Sequence, residues 1–195
     1  YILYLNFYLS CFRFCCIKIL MENLTIIIPS KNRPFFLRRS TNYWNNYNFP
    51  VIIVDGSDET QKKWMDENSN RNIQYLYKKT PFPDRLNYAA KLIKTKYCIL
   101  LSDDEFFCIS VLKKCINFLE SNNEYVAVNG CAIGFFYTFN KLMGEKKYPE
   151  WVKRIRVETD PSKRIISHMK DYANSLGVSV IKSDMFKKCA ELYAN

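Results

Sequence analysis

The apolar run Tyr97-Cys98-Ile99-Leu100-Leu101 ends directly on Ser102-Asp103-Asp104-Glu105. Three consecutive acids cannot continue a buried strand, because each unpaired charge taken from water is costly, so the strand must stop at an edge where a cation or solvent waits. Oxygen-only clusters of this kind suit hard divalent ions such as Mg²⁺ or Mn²⁺. In an extended stretch alternate side chains share a face, which directs Asp103 and Glu105 to one ion and Asp104 elsewhere. The same residues also suit a solvated loop that caps the following helix. By itself the cluster weighs these two readings equally.

The rest of the chain supplies context by alternating strands and helices. Leu24 to Ile28 is a β-branched run ending at Pro29, as in a strand buried on both faces. Helical spacing then covers Phe35 to about Tyr47, and a second strand, Val51 to Val54, ends on Asp55-Gly56-Ser57-Asp58. A short helix over Thr60 to Asn68, a strand over Ile73 to Tyr77, and a helix from Arg85 to Lys94 capped by Asp84 lead into the acid-terminated strand. Ile109 to Ser121 is a further helix and Tyr125 to Asn129 a further strand. This alternation predicts an α/β fold with a mostly parallel central sheet and helices on both faces. Right-handed crossovers put the strand C-termini on one edge, where ligands of open α/β sheets bind. The residues gathered there are Ser30 to Arg33, Asp55 and Asp58, Lys78 to Thr80, and Asp103 to Glu105.

Beyond Gly130 the pattern predicts an aromatic strand-like stretch from Ala132 to Phe139, a loop at Tyr148 to Trp151, and a helix over Ser162 to Asn174 capped by Ser162. A strand over Gly177 to Ile181 and a helix capped by Ser183 and running to Tyr193 follow, with a C-terminal truncation left open. The 195 residues fit one medium domain. Residues 1–20 are apolar and aromatic but carry Arg13 and Lys18 and precede the first methionine, Met21. They read as an extension outside the folded domain, with weak membrane association as the second choice.

Twenty-nine Lys and Arg against nineteen Asp and Glu give +10 and favour polyanionic partners. The basic residues are scattered rather than striped with aromatics, which argues against nucleic acid. Eight cysteines without a C-x-x-C pair read as reduced thiols of a cytoplasmic protein, with Cys98, Cys108 and Cys115 as small core residues. Five glycines form neither G-x-G-x-x-G nor a P-loop, and the single histidine, His168, leaves little scope for a Ser-His-Asp hydrolase. Phosphate is then left to a metal ion and to basic side chains.

Taken in order, Pro29-Ser30-Lys31-Asn32-Arg33, Ile52-Ile53-Val54-Asp55-Gly56-Ser57-Asp58 and Tyr97 to Glu105 resemble the nucleotide-binding half of family 2 glycosyltransferases. The resemblance covers roughly residues 24–130, with 131–195 as the acceptor half. It implies the GT-A fold, and transfer of a sugar from a nucleotide-diphosphate donor to an acceptor hydroxyl with inversion. Pro29, Ser30, Asn32 and Arg33 would line the nucleotide pocket, and Asp55 or Asp58 would contact the base. Asp103, Asp104 and Glu105 would form a D-x-D-type element holding Mn²⁺ or Mg²⁺ against the diphosphate. The family usually has Asp where Glu105 stands, and often two aspartates before Gly56.

Arg85 starts a helix on the same edge and is a candidate for diphosphate or sugar. In the family the base that deprotonates the acceptor is usually an acid of the second half. Asp160 is the first candidate here and Glu158 the second, with Asp171 behind them, against the plainer reading of a solvated turn in which Asp160-Pro161 opens a helix. His168 is a candidate further metal ligand against a packing role. Arg38 and Arg39 read as a solvated helix face, Trp44, Trp64 and Phe135-Phe136-Tyr137 as core, and Trp151 as a sugar-stacking candidate. The acceptor would be a glycan or lipid-linked; the expected location is the cytoplasm, with peripheral association at a membrane left open. Two alternatives remain: a nucleotidyltransferase that makes nucleotide sugars, and a non-catalytic relative that binds nucleotide or glycan.

Overall fold

Strands built from unbroken β-branched residues need cover on both faces, and this requirement organises the first half of the chain. A computed structural model describes residues 23–147, 157–170, 172 and 176–195. The extension at 1–20, the loop carrying Trp151, and Asp171 lie outside the described residues. Two units divide the chain, Tyr1–Phe107 with Lys182–Asn195, and Cys108–Ile181.

In the first unit, β1 (Leu24–Ser30), α1 (Pro34–Trp44), β2 (Val51–Asp55), α2 (Lys62–Asn68), β3 (Ile73–Tyr77), α3 (Phe82–Leu92) and β4 (Tyr97–Leu100) follow one another. The four strands are parallel, in the order β3-β2-β1-β4. Every residue of β2 is buried and β1 is buried at all but Pro29, as their composition requires. In α1 the buried residues Leu37, Ser40, Thr41 and Trp44 repeat at helical spacing. Trp44 packs edge-on against Phe49, whose ring centre is 6.0 Å away. Fully burying each such side chain contributes about 1.5–3 kcal/mol. This is the mostly parallel α/β arrangement expected.

Helix α3 begins at Phe82, three residues before the expected start, with Pro81 as its N-cap. Asp84 therefore lies in the first turn, where it favours the positive end of the helix dipole instead of capping.

The second unit contains α4 (Ile109–Ser121), β5 (Ala127–Val128), β6 (Ala132–Thr138), β7 (Lys141–Lys147), α5 (Pro161–Lys170) and β8 (Val180–Lys182), which runs into the boundary. Strand β5 is shorter than expected and pairs antiparallel with β8. A turn of 3₁₀ helix, Leu176–Val178, takes the start of the strand expected from Gly177. Asp160 rather than Ser162 caps α5: its Oδ1 accepts the amides of Ser162 at 2.8 Å and Lys163 at 3.2 Å. The chain then returns to the first unit as α6 (Ser183–Ala194), with Lys182 as N-cap, where α6 packs on α3 and β4.

Strand β7 was not expected, and it forms with β6 a two-stranded antiparallel sheet. Its turn is Phe139-Asn140, both left-handed at φ 47° and 58°. These are the signs that a two-residue type I′ hairpin demands, but Phe139 sits where Asn, Asp or Gly is favoured and so leaves no sequence signal. The aromatic run expected in the core is exposed instead, with Phe135, Phe136 and Tyr137 at 61, 47 and 71 %. Replacing Phe139-Asn140 by Asn-Gly relieves the left-handed strain of a bulky residue. The double variant is expected to gain about 1 kcal/mol, read as a rise of roughly 2–4 °C in melting temperature.

Cys98 and Cys115 are buried as expected, which pushes their thiols up to about 12 and about 11. Cys108 is exposed, because it precedes α4 rather than lying on its buried face. No helix among the described residues is long and apolar enough to cross a membrane.

Candidate functional site

Parallel register brings the strand ends together: Ser30 of β1 lies beside Asp55 of β2, and Ile27 of β1 beside Leu100 of β4. After β1 the chain turns at Asn32, which is left-handed at φ 55°. Asparagine tolerates this conformation better than most residues. The turn is then fastened to the loop after β2. Asn32 receives the Asp58 amide on Oδ1 at 2.8 Å, donates from Nδ2 to Asp58 Oδ2 at 2.9 Å, and donates its own amide to Ser57 Oγ at 2.7 Å. Arg33 follows as the N-cap of α1, with Pro34 opening the helix.

Asp103 is the centre of the arrangement. It is 2 % exposed, accepts the Ser30 hydroxyl on Oδ2 at 2.6 Å, and lies with Oδ1 2.9 Å from Arg33 Nη1. That last contact is an ion pair without hydrogen-bond alignment, so Oδ1 is a buried carboxylate oxygen with no hydrogen bond. Burial raises the Asp103 carboxyl above the ordinary aspartate value, against the lowering effects of Ser30 and Arg33. Arg33 Nη2 also donates to Asp104 Oδ2 at 2.7 Å, and this bond chiefly holds the guanidinium above its usual value.

Residues 102–105 form a turn rather than an extended stretch, closed by the Glu105 amide on Ser102 O at 3.1 Å. Glu105 folds back and accepts the Ser102 amide on Oε2 at 3.0 Å. The alternation that was to pair Asp103 with Glu105 therefore does not operate, and the adjacent Asp103 and Asp104 share one partner, Arg33.

Asp55 is fully buried, with its carboxylate taken up internally. Oδ1 accepts both the amide, at 2.9 Å, and the hydroxyl of Ser57, and Oδ2 accepts the Tyr75 hydroxyl at 2.6 Å. Burial pushes the Tyr75 phenol up to about 12, which keeps it a donor. Ser57 and Tyr75 were not singled out in the sequence.

Asp58, in contrast, is exposed. Its carboxyl is held below the ordinary value first by Asn32 and then by Lys79, whose Nζ is 3.3 Å away. A lowered folded value contributes stability that is present above the unfolded value and lost as pH falls through the folded one. Asn32→Gly, which tolerates the left-handed backbone, is therefore expected to lower urea midpoints. The pH-dependent part of that difference is constant at neutral pH and shrinks as pH falls through the carboxylate range.

Arg85 is 4 % exposed and points inward. Nη1 donates to Ser30 O at 2.8 Å and Val54 O at 3.2 Å, and Nε donates to Thr80 O at 3.2 Å. Gly56 crosses so closely that a Cβ there would lie 2.4 Å from the guanidinium carbon. Arg85 thus ties the ends of β1 and β2 to the loop that follows β3. Pro29 and Ser30 end β1 above it.

The candidates Glu158, Asp160 and His168 belong to the second unit. Asp160 caps α5, the Glu158 carbonyl accepts from Arg164 at 2.8 Å, and the His168 ring lies 5.3 Å from that of Tyr172. Arg38 and Arg39 are exposed on α1 as expected, and Trp44 is buried.

No group of three His, Cys, Asp or Glu side chains converges among the described residues. Mg²⁺ and Mn²⁺ sites, however, are often completed by one or two carboxylates with substrate phosphates. Asp103 and Asp104 fit that pattern: two carboxylates share one guanidinium, and one buried oxygen lacks a hydrogen bond.

No curated protein sequence matches this chain. Among solved structures it is similar to S. aureus TarS 1-349, with a TM-score of 0.52 and 14% identity, over 86% of this chain and 49% of that one. The chain thus spans about half of that structure's length, and the likeness is one of fold. The model of glycosyl transferase family 2 matches residues 25–181, which is more than half of the chain, and the chain belongs to that family.

Proposed function

We propose that the chain takes part in sugar transfer from a nucleotide-diphosphate donor to an acceptor hydroxyl, with inversion, and that the first unit binds the donor. One observation carries this reading. A nearly fully buried aspartate, Asp103, stands at the carboxyl edge of a parallel sheet with Ser30 and Arg33 gathered on it, in a chain of a glycosyl transferase family.

Pro29, Ser30, Asn32 and Arg33 line the nucleotide and diphosphate. Asp58 presents its carboxylate to the base, while Asp55 acts behind it by fixing Ser57. Arg85 supports the floor of the pocket and touches no ligand. Asp103 and Asp104 would hold the Mn²⁺ or Mg²⁺, with Glu105 closing their turn. When bound, that ion supplies a positive charge against which the leaving diphosphate is stabilised. Glu158 and Asp160 are the candidate acids for the acceptor proton. Asp160 spends Oδ1 on the helix and would receive the proton on Oδ2. The acceptor is a glycan or a lipid-linked sugar.

Incubation with a panel of nucleotide sugars and Mn²⁺ tests this. Release of nucleoside diphosphate is expected, and transfer when a suitable hydroxyl is supplied. Diphosphate binding without release would favour a binding module, and pyrophosphate release from a nucleoside triphosphate and a sugar phosphate would favour nucleotidyl transfer.

A further inference from the structure

Arg33 stands where a cation at the acid pair would have to stand. Its two terminal nitrogens reach different carboxylates, Nη1 to Asp103 Oδ1 at 2.9 Å and Nη2 to Asp104 Oδ2 at 2.7 Å. The guanidinium also lies 4.2 Å from the centre of the Phe36 ring, which steadies it over the cluster. One positive charge against two negative ones leaves the cluster attractive to a divalent ion. The same positive charge occupies the oxygens that such an ion needs.

The partners differ in what holds them. Asp103 is buried and fixed by Ser30, whereas Arg33 and Asp104 are 39% and 40% exposed and reached by solvent. A guanidinium fork matches the oxygens of a phosphate as well as it matches those of a carboxylate. A diphosphate arriving at this edge therefore offers Arg33 an alternative of higher charge.

We propose that Arg33 is an internal counter-ion that keeps the Asp103 and Asp104 oxygens closed to a divalent ion until a diphosphate draws the guanidinium away. Metal and diphosphate then bind as a coupled pair, each making room for the other, and the coupling is reciprocal. This rests on the donor-site reading above and adds to it an order of events set by one side chain. In the resting protein the buried oxygen of Asp103 is neutralised by Arg33, so a metal ion alone gains little. With the guanidinium on the diphosphate, the same oxygens are open and the incoming ion meets phosphate on its other side.

The test measures protein-bound Mn²⁺ by equilibrium dialysis at matched concentrations of free Mn²⁺, with and without saturating inorganic pyrophosphate, the group common to all such donors, because pyrophosphate itself binds the ion in solution. Pyrophosphate is expected to tighten Mn²⁺ binding to the unmodified protein by at least about tenfold. Arg33→Gln is expected to bind Mn²⁺ alone at least about tenfold more tightly than the unmodified protein, with the effect of pyrophosphate reduced by the same factor. Adding Asp103→Asn to Arg33→Gln is expected to abolish the gain.

Unchanged or weaker Mn²⁺ binding in Arg33→Gln, with pyrophosphate still tightening Mn²⁺ binding to the unmodified protein, overturns the counter-ion role and leaves the donor site standing. Absence of Mn²⁺ binding in both proteins, with or without pyrophosphate, overturns the metal reading as well. A gain that survives Asp103→Asn places the ion elsewhere and also overturns the proposal. If Arg33→Gln fails to fold, Arg33→Lys is read in its place: a gain of about threefold supports the proposal and no gain overturns it.

Discussion

Asp103→Asn is expected to lower Mn²⁺-dependent affinity for a nucleoside diphosphate by at least about 100-fold, near 2.7 kcal/mol, measured by calorimetry. The protein should nevertheless remain folded. Asn keeps the size of the side chain and can still accept the Ser30 hydroxyl, whose bond to Asp103 is 2.6 Å long. The charge it removes is one that burial disfavours, since the Asp103 carboxyl is raised above its ordinary value by desolvation. A group raised in the folded state contributes stability below its unfolded value and loses it as pH rises through the folded one. At neutral pH the charged form is therefore a burden that Asn relieves, partly offset by the lost pairing with Arg33. Melting temperature should stay within roughly 4 °C of the unmodified protein, a change of about 1 kcal/mol. A large loss of binding with little loss of stability is what separates a ligand-holding acid from a structural one.

Arg85→Met is expected to have the opposite profile, a large loss of stability from a residue held on backbone carbonyls. The guanidinium is nearly fully buried and serves the carbonyls of Ser30, Val54 and Thr80. Ser30 O keeps a second donor, the Gly56 amide at 2.9 Å, but the other two carbonyls lose their charged partner. Desolvation lowers the Arg85 value, so part of the burial cost is recovered on replacement. The balance is a destabilisation of about 2–4 kcal/mol, a fall of roughly 4–16 °C in melting temperature. Gly56→Ala provides the internal check. Its Cβ meets Arg85 Cζ at 2.4 Å and Nε at 2.6 Å, so the substitution should be costly with Arg85 present and much cheaper beside Arg85→Met. Such non-additivity, read from a double-mutant cycle by urea unfolding, assigns the close approach to that one side chain.

The parts of the fold that could be read from the sequence were those in which one force dominates. The β-branched runs of β1 and β2 have no stable place outside a doubly covered sheet, and the helical spacing of Leu37, Ser40 and Trp44 admits one buried face. The strand ends were correctly gathered at one edge for the same reason. The parts misread were those set by local turn geometry. Asp103 to Glu105 were treated as extended, but Glu105 folds onto the Ser102 amide and brings Asp103 and Asp104 to a common partner. Phe139-Asn140 makes a left-handed turn without the residues that announce one, which concealed β7 and left Phe135 and Tyr137 exposed. Arg85 was placed at a helix start on the ligand edge, and its guanidinium is found on backbone carbonyls inside. A linear pattern cannot tell an inward arginine from an outward one.

The account rests on a diphosphate and a divalent ion meeting at the carboxyl edge of β1 and β4. Anomalous diffraction from crystals grown with Mn²⁺ and a nucleoside diphosphate tests it most directly. The account predicts one Mn²⁺ peak about 2.0–2.6 Å from an Asp103 carboxylate oxygen, with diphosphate oxygens completing the coordination and Arg33 turned onto a phosphate. A peak elsewhere, or a diphosphate bound away from Ser30 and Asp103, would contradict it.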